Sequence, residues 1–198
     1  MFTLPKHLCP EPLPHGTGSR IFKAIRGGAQ CLRLQQHHLL IAAPHAQSNK
    51  EIILSFRLQT RWQASDTPEG EFSRDHHITF GSGQTIEASS APEYKGNPAM
   101  VNPEESLLAA LSSCHMLTFL AIAHLKRLPV KSYEDCASAE LGKRDSGKLA
   151  VTYMQLNPTV EFMDGVEVSR DTLEKMHEKA HANCFIANSL DCEVEIRF

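Results

Sequence analysis

The first clear pattern along the chain is an alternation of apolar and polar residues from residue 52 to residue 62. A period of two places successive side chains on opposite faces of a strand, so this segment predicts a half-buried β-strand. After the break at "TPEGE", the stretches "HITF" and "QTIEA" flank Gly81-Ser82-Gly83 and predict a β-hairpin. The pattern therefore predicts three consecutive strands in this part of the chain.

A long apolar run, "NPEESLLAALSSCHMLTFLAIAHL", follows at residues 102 to 125. Asn102 is a good helix cap, Pro103 suits the first helical position, and Glu105 can reach back to the N–H of the cap. The helix is predicted to continue to about Arg127, because Pro129 makes continuation unfavourable. It is apolar on every side, so it must be covered on every side.

The rest of the chain returns to the strand pattern. Residues 133 to 142 and 148 to 162 predict two strands, the second with a change of phase near Gln155 that indicates a bulge. Ser169 caps a second, amphipathic helix that is predicted to end near Ala182, and residues 190 to 198 alternate as a last strand. The order β-ββ-α-ββ-α-β predicts an α+β fold.

The apolar helix has three interpretations. It is long enough to span a membrane, but its serine, threonine and histidine side chains are poorly suited to lipid. It could be a core helix, covered partly by the second helix and partly by a two-fold partner, which predicts a homodimer. The third interpretation is the floor of a reactive site, because Cys114 lies in the middle of the run.

Composition is that of a globular protein with one domain: 41% of the residues are hydrophobic, 22% are charged, and the net charge of −3 gives no sign of nucleic-acid binding. Residues 1 to 50 are basic, with a charge of about +5, and lack the features of a secretory signal. A transit peptide is a weaker alternative, because prolines interrupt any early helix. We therefore expect a poorly ordered extension at 1–50, a domain at 51–198, and a cytoplasmic location.

The six cysteines form no CxxC pair and no closely spaced framework, so a small disulfide-stapled domain is not predicted. A rival motif is "HEKAH" at residues 177 to 181, which matches the H-E-x-x-H pattern of zinc hydrolases on a predicted helix. No clear third protein ligand follows it, so His177 and His181 are expected to lie on a solvated helix face, and no metal is expected.

Three segments resemble the OsmC/Ohr family of thiol-dependent hydroperoxide reductases. "NPEESLLAALSSC" resembles the family's first cysteine helix, "AHANCFIANSL" is similar to its second cysteine segment, and "SRDHHITF" resembles its Arg-Asp loop. The resemblance covers roughly residues 52 to 198. It implies a curved, mostly antiparallel sheet of about six strands with two main helices, the first apolar and central, completed by an intertwined homodimer.

The resemblance also implies a reaction and its residues. Cys114 would be the peroxidatic thiol, Cys184 the resolving thiol, and Arg74 and Glu104 the pair that prepares the site; Arg57 and Arg61 remain alternatives to Arg74. No bound cofactor is implied, and an external dithiol, such as lipoamide, would regenerate the thiols. Phe185 follows the second cysteine where family members often have proline.

Elementary chemistry adds a constraint to this picture. A thiol among apolar side chains has a raised pKa, so a reactive Cys114 needs a cation such as an arginine held by a carboxylate. Glu104 and Cys114 are ten residues apart on one helix, about 15 Å. Antiparallel packing of two copies would bring Glu104 of one chain towards Cys114 of the other, which predicts a composite site at a subunit interface.

Apolar side chains near the thiols predict a preference for organic hydroperoxides. The candidate substrate-binding residues are Leu107, Leu111, Phe119 and Phe185. An alternative without catalysis is a family-like dimer that only binds an apolar ligand in the same pocket.

Overall fold

The computed structural model describes residues 20–23, 54–64 and 71–198. Nine strands and two α-helices are found in these ranges. The strands are β1 (Arg20–Lys23), β2 (Leu58–Arg61), β3 (His76–Phe80), β4 (Thr85–Ala88), β5 (Val130–Asp135), β6 (Ser138–Lys143), β7 (Leu149–Leu156), β8 (Pro158–Phe162) and β9 (Glu193–Ile196). The helices are α1 (Pro103–Leu125) and α2 (Arg170–Asn183), and a single 3-10 turn, Ala187–Ser189, lies between α2 and β9.

The strands form three sheets, in the orders β1-β9-β7-β6, β2-β3-β4 and β5-β8. Every neighbouring pair is antiparallel except β7 and β9, which run parallel. The α+β class, the two helices and the antiparallel character predicted from the sequence are confirmed, but the strands are divided among three sheets rather than joined in one of six.

The two strands predicted across residues 133–162 are in fact four, because both bend at the same level and change sheet. At the bend, the Asp135 carboxylate accepts the backbone N–H of Asn157 at 2.7 Å, and the Asn157 side chain donates to the Cys136 carbonyl at 2.5 Å. Pro158, which has no N–H, begins the strand that pairs in the new sheet. The change of phase near Gln155 thus marks the point where the chain passes from one sheet to another. The β6–β7 pairing also contains a bulge, where its register shifts between Glu140 and Leu141.

Helix α1 begins as the sequence predicts. The Asn102 side chain accepts the N–H of Glu105 at 2.8 Å, and the Glu105 carboxylate accepts the N–H of Asn102 at 3.1 Å. The helix ends at Leu125, two residues before the predicted end, and Arg127 adopts a left-handed conformation with φ of 57°. Ser169 caps α2, which ends one residue later than predicted.

Two buried clusters hold α1 in place. The first joins α1 to β7, β9 and the turn after α2; its fully or nearly buried members are Leu111, Met154, Leu156, Cys184, Ala187, Val194 and Ile196. The second joins α1 to α2; its members are Phe119, Ile122, Ala123, Met176 and Ala180. Both cysteines of interest belong to or pack against the first cluster.

The other face of α1 is left open by the residues that the structure describes. Ala109, Ser113, Leu117, Ala121 and Leu125 recur every four residues and are exposed. The helix is long and apolar enough to cross a membrane by length and composition alone, yet only 28% of its most apolar window is buried within the chain. Because Leu117 is 60% and Leu125 80% exposed, this open face needs a covering surface.

Residues 20–23 lie within the predicted extension but form β1, which pairs with β9 from Arg20 opposite Ile196 to Lys23 opposite Glu193. The rest of the extension lies outside the described residues. The first strand predicted at 52–62 is shorter in the structure, where β2 covers Leu58–Arg61.

Candidate functional site

The two thiols that lie 70 positions apart in the sequence meet in the fold. Cys114 is in the middle of α1, and Cys184 is the C-terminal cap of α2. The Cys114 thiol is close enough to contribute to the pKa of the Cys184 thiol, and Cys114 packs against the cluster that contains Cys184. Cys184 has no exposed surface, whereas Cys114 is half-buried. A disulfide between them therefore needs no movement of one helix past the other.

The surroundings of Cys184 keep it protonated in the dithiol state. Burial, followed by the hydrogen bond with Cys114, raises the pKa of the Cys184 thiol to about 11. The backbone N–H groups of Ala187 and Ile186 act in the opposite direction, and the first of these lies 3.4 Å from Sγ. Cys114 is therefore the accessible sulfur and Cys184 the shielded one.

Arg74 lies in a groove of about 360 Å³ at the other end of α1. Its guanidinium carbon is 4.4 Å from the centre of the Phe72 ring, and Nη1 donates to the Phe72 carbonyl at 3.3 Å. Trp62 closes one side, with Nε1 donating to the Ser73 carbonyl at 2.7 Å. The remaining lining residues are His76, Ser89, Ser90 and Pro103. Of the three arginines considered, only Arg74 lines this groove; Arg57 and Arg61 are exposed.

The groove and the thiols do not meet within one chain. Pro103 lines the groove, and Cys114 lies eleven positions further along α1, about 16 Å at 1.5 Å per residue. Glu104, next to Pro103, is half-buried and makes no ion pair with Arg74 in this chain. The structure brings Cys114 to Cys184 and Arg74 to the first turn of α1, as two separate halves.

The four predicted substrate-binding residues occupy different places. Leu111 is fully buried in the cluster that contains Cys184, and Leu107 packs against that cluster. Phe119 is a core residue of the second cluster, where its ring lies 4.4 Å from that of His177. Phe185 is 81% exposed, immediately after the buried thiol. Leu107 and Leu111 are thus the two that lie beside the thiols.

Two buried histidines were not predicted. His115 Nε2 and His177 Nδ1 are 3.1 Å apart, and the rings stack at 5.4 Å with an interplanar angle of 1°. His177 also stacks on Phe198 at 4.4 Å. The expectation that His177 and His181 lie on a solvated helix face is wrong, because α2 turns this face towards α1: His177 has no exposed surface and His181 is half-buried. Within residues 71–198 and the shorter described segments, no three His, Cys, Asp or Glu side chains are grouped as a metal site, so "HEKAH" lacks a ligand set there.

A polar pair that we call the clamp, Ser112 with Asp135, fixes α1 against β5. The sequence pattern did not predict it. Ser112 Oγ donates to Asp135 Oδ2 at 2.5 Å, while Asp135 Oδ1 accepts from Asn157 as described above. Burial raises the pKa of the Asp135 carboxyl, and the two hydrogen bonds oppose that rise. On an otherwise apolar helix, such a pairing fixes the rotation of the segment that carries Cys114.

Asp135→Ala is expected to lower the free energy of unfolding by about 2–3 kcal/mol, because Ser112 Oγ and the Asn157 N–H would both lose their buried acceptor. Urea denaturation followed by circular dichroism measures the change. Ser132→Ala, on the same strand but exposed, is the matched control and should stay within about 0.5 kcal/mol. Equal stability of the Asp135→Ala and parent chains would contradict the role of the clamp.

Comparison with solved structures shows what the chain is similar to. An OsmC-like protein of unknown function from Vibrio cholerae is 41% identical, with a TM-score of 0.69, and the match covers 74% of this chain and 99% of the other. No curated protein matches in sequence.

More distant structures share the fold. An organic hydroperoxide resistance protein OsmC from Legionella pneumophila is 14% identical with a TM-score of 0.57, and the match covers 74% of this chain and 96% of the other. An organic hydroperoxide resistance protein from Elizabethkingia anophelis is 17% identical, with the same TM-score and coverages. The family model for OsmC-like proteins matches residues 96–198, from the loop before α1 to the C-terminus. With more than half of its length matched, and with a two-helix fold that carries paired thiols, the chain belongs to the OsmC-like family.

Proposed function

We propose that the protein is a thiol peroxidase that reduces organic hydroperoxides to alcohols by cycling Cys114 and Cys184 between dithiol and disulfide. The observation that carries the proposal is the contact between a half-buried thiol on α1 and a fully buried thiol at the end of α2. Two distant members of the fold, from Legionella pneumophila and Elizabethkingia anophelis, are organic hydroperoxide resistance proteins, which supports the same substrate class.

The reaction balances with the two thiols alone. The Cys114 thiolate attacks the terminal peroxide oxygen, the O–O bond breaks, and the alkoxide leaves as an alcohol after taking up a proton. The resulting sulfenic acid is attacked by Cys184, which loses its proton, and water leaves as the disulfide forms. The peroxide gains two electrons and the two sulfurs lose them. An external dithiol, such as lipoamide, then returns the pair to the reduced state without a bound cofactor, in a reducing compartment such as the cytoplasm.

A homodimer would complete the site. Ala109 lies midway between Glu104 and Cys114, on the exposed face of α1, and its small side chain permits close approach of a second helix. An antiparallel two-fold pair centred at Ala109 would place Cys114 of each chain near the first turn of the other α1, where Arg74 lies. Arg74, held by Glu104, would then stabilise the thiolate of the partner's Cys114.

Complementation between two variants tests the composite site. Cys114→Ser chains and Arg74→Ala chains are each expected to be inactive as homodimers. Mixed dimers would contain one intact site, so co-refolding equal amounts should restore roughly a quarter of the activity. If dimers shown to be mixed recover no activity, each site must use Arg74 and Cys114 of the same chain, which would contradict this arrangement.

Thiol counting separates catalysis from simple ligand binding. Reduced protein is incubated with tert-butyl hydroperoxide, and the cysteine-containing peptides are examined by mass spectrometry. A peroxidase should convert the Cys114 and Cys184 peptides into one disulfide-linked species. Unchanged thiols, with binding of the hydroperoxide or its alcohol, would favour the non-catalytic alternative.

A further inference from the structure

The site has an asymmetry that bears on how the disulfide is reduced. Cys184 Sγ has no exposed surface, and residues on both sides of it hold it in place: its N–H donates to the His181 carbonyl at 3.2 Å, and its carbonyl accepts from Asn188 at 3.0 Å. Cys114, by contrast, is half-buried and keeps part of its surface open to solvent. Cys114 packs against the cluster that contains Cys184, so disulfide formation needs little rearrangement and the difference in access should persist in the oxidised protein.

Burial and the neighbouring Cys114 thiol disfavour a negative charge on Cys184, and the turn after α2 provides the N–H donors that partly offset them. The N–H of Ala187 donates to Sγ at 3.4 Å, and the N–H of Ile186 also acts to lower the pKa of the thiol. Ala187 begins the 3-10 turn Ala187–Ser189, whose first N–H groups have no partner within the turn itself. Cys114 Sγ, in the middle of α1, has no such donors from its own helix, because the local N–H groups are used in the helix ladder.

From these contacts, and on the basis of the proposed dithiol–disulfide cycle, we propose that the reducing thiol attacks Cys114 Sγ and expels Cys184 as a thiolate into the N–H groups of Ala187 and Ile186. The new bond joins the external sulfur to Cys114, and the Cys114–Cys184 bond breaks with its electron pair on Cys184. The second thiol of a dithiol reductant then attacks its own sulfur in the mixed disulfide and releases Cys114. The reductant loses two electrons, and the protein gains them.

The site of attack can be mapped on the unmodified protein. Reduced protein is oxidised with diamide, which requires no peroxidase activity, and the Cys114–Cys184 disulfide is verified in a peptide map. Brief exposure to an excess of the monothiol glutathione is followed by quenching in acidic denaturant and alkylation with N-ethylmaleimide. We expect the glutathione on Cys114 and the alkyl group on Cys184, in at least about tenfold excess over the reverse pattern.

Adducts on Cys184, or equal labelling of both sulfurs, would overturn the proposal, as would the absence of a Cys114–Cys184 disulfide after diamide. Because the disulfide is made chemically, a failure to reduce hydroperoxides would count against the proposed function and leave this result intact. Cys192→Ser, which removes the other free thiol among the described residues, is the control and should give the same map.

The donor role is tested at Ala187. Ala187→Pro removes the N–H, and Ala187→Gly, which keeps it, is the matched control. We expect reduction of the disulfide by dithiothreitol to slow roughly tenfold in the proline variant alone, while diamide oxidation proceeds to the same extent in both. An unchanged reduction rate in a folded Ala187→Pro protein would remove the donors from the proposal, and the labelling map stands independently of this variant.

Discussion

Cys114→Ser is expected to reduce the rate of hydroperoxide consumption by at least about 10³-fold, to the background of the reductant alone, because no other described thiol combines access with the resolving partner. The serine occupies nearly the same space, so the circular dichroism spectrum should not change. Activity is measured as loss of tert-butyl hydroperoxide in the presence of excess dithiol.

Cys184→Ser should behave differently. It retains the attacking sulfur, so one equivalent of hydroperoxide should be consumed rapidly, leaving a sulfenic acid at Cys114 that is detected by mass as a dimedone adduct. Cys192 packs against the same cluster but has no role in the proposed reaction, so Cys192→Ser should retain the turnover of the parent protein. Full turnover by the Cys114→Ser protein would show that another residue is the nucleophile.

Acid destabilisation through the His115–His177 pair is the second large expected effect. Burial lowers the pKa of His115 to about 3, with the neighbouring His177 and His181 as smaller contributions, and burial lowers the pKa of His177 to about 4. Both pKa values lie below the ordinary 6.5, so the unfolded chain binds more protons than the folded one below that pH. The contribution of the two neutral histidines to the free energy of unfolding is therefore fully present above pH 6.5 and is lost as the pH falls towards 4.

Each of the two histidines contributes about 1.4 kcal/mol per pH unit in this window. The loss between pH 6 and pH 4 is then several kcal/mol, comparable with the whole stability of many domains. Urea denaturation at a series of pH values measures it. His177→Phe, which keeps the stacking on Phe119 and Phe198, should remove about half of the slope, and exposed His124→Gln should leave it unchanged. A flat profile from pH 7 to pH 5 would contradict a buried neutral pair.

Local signals predicted local structure well. The cap of α1 depends on Asn102 and Glu105, three residues apart, and the structure has both hydrogen bonds. The approach of Cys114 to Cys184 is a different matter: it was expected from the family resemblance, and nothing in a spacing of 70 residues would have predicted it. The bend at Asn157 was visible only as a change of phase, because the pattern of one strand does not indicate which strands it pairs with.

Long-range polar contacts could not be predicted at all. Ser112 and Ser113 are adjacent and identical in type, yet the first binds a half-buried carboxylate and the second is exposed. His177 was assigned to the wrong environment for the same reason, since its partner, His115, lies on another helix. Helical periodicity indicates which residues share a face, but the chemistry that meets that face depends on tertiary packing.

The short β1–β9 pairing has a practical consequence for dissecting this protein. A fragment that begins at residue 51, the predicted start of the domain, would retain β9 but lose the strand that covers its outer edge. The uncovered backbone N–H and C=O groups of residues 193–196 would then be available to any extended segment in solution. Self-association of such a fragment through this edge would be a product of trimming and should not be taken for native assembly.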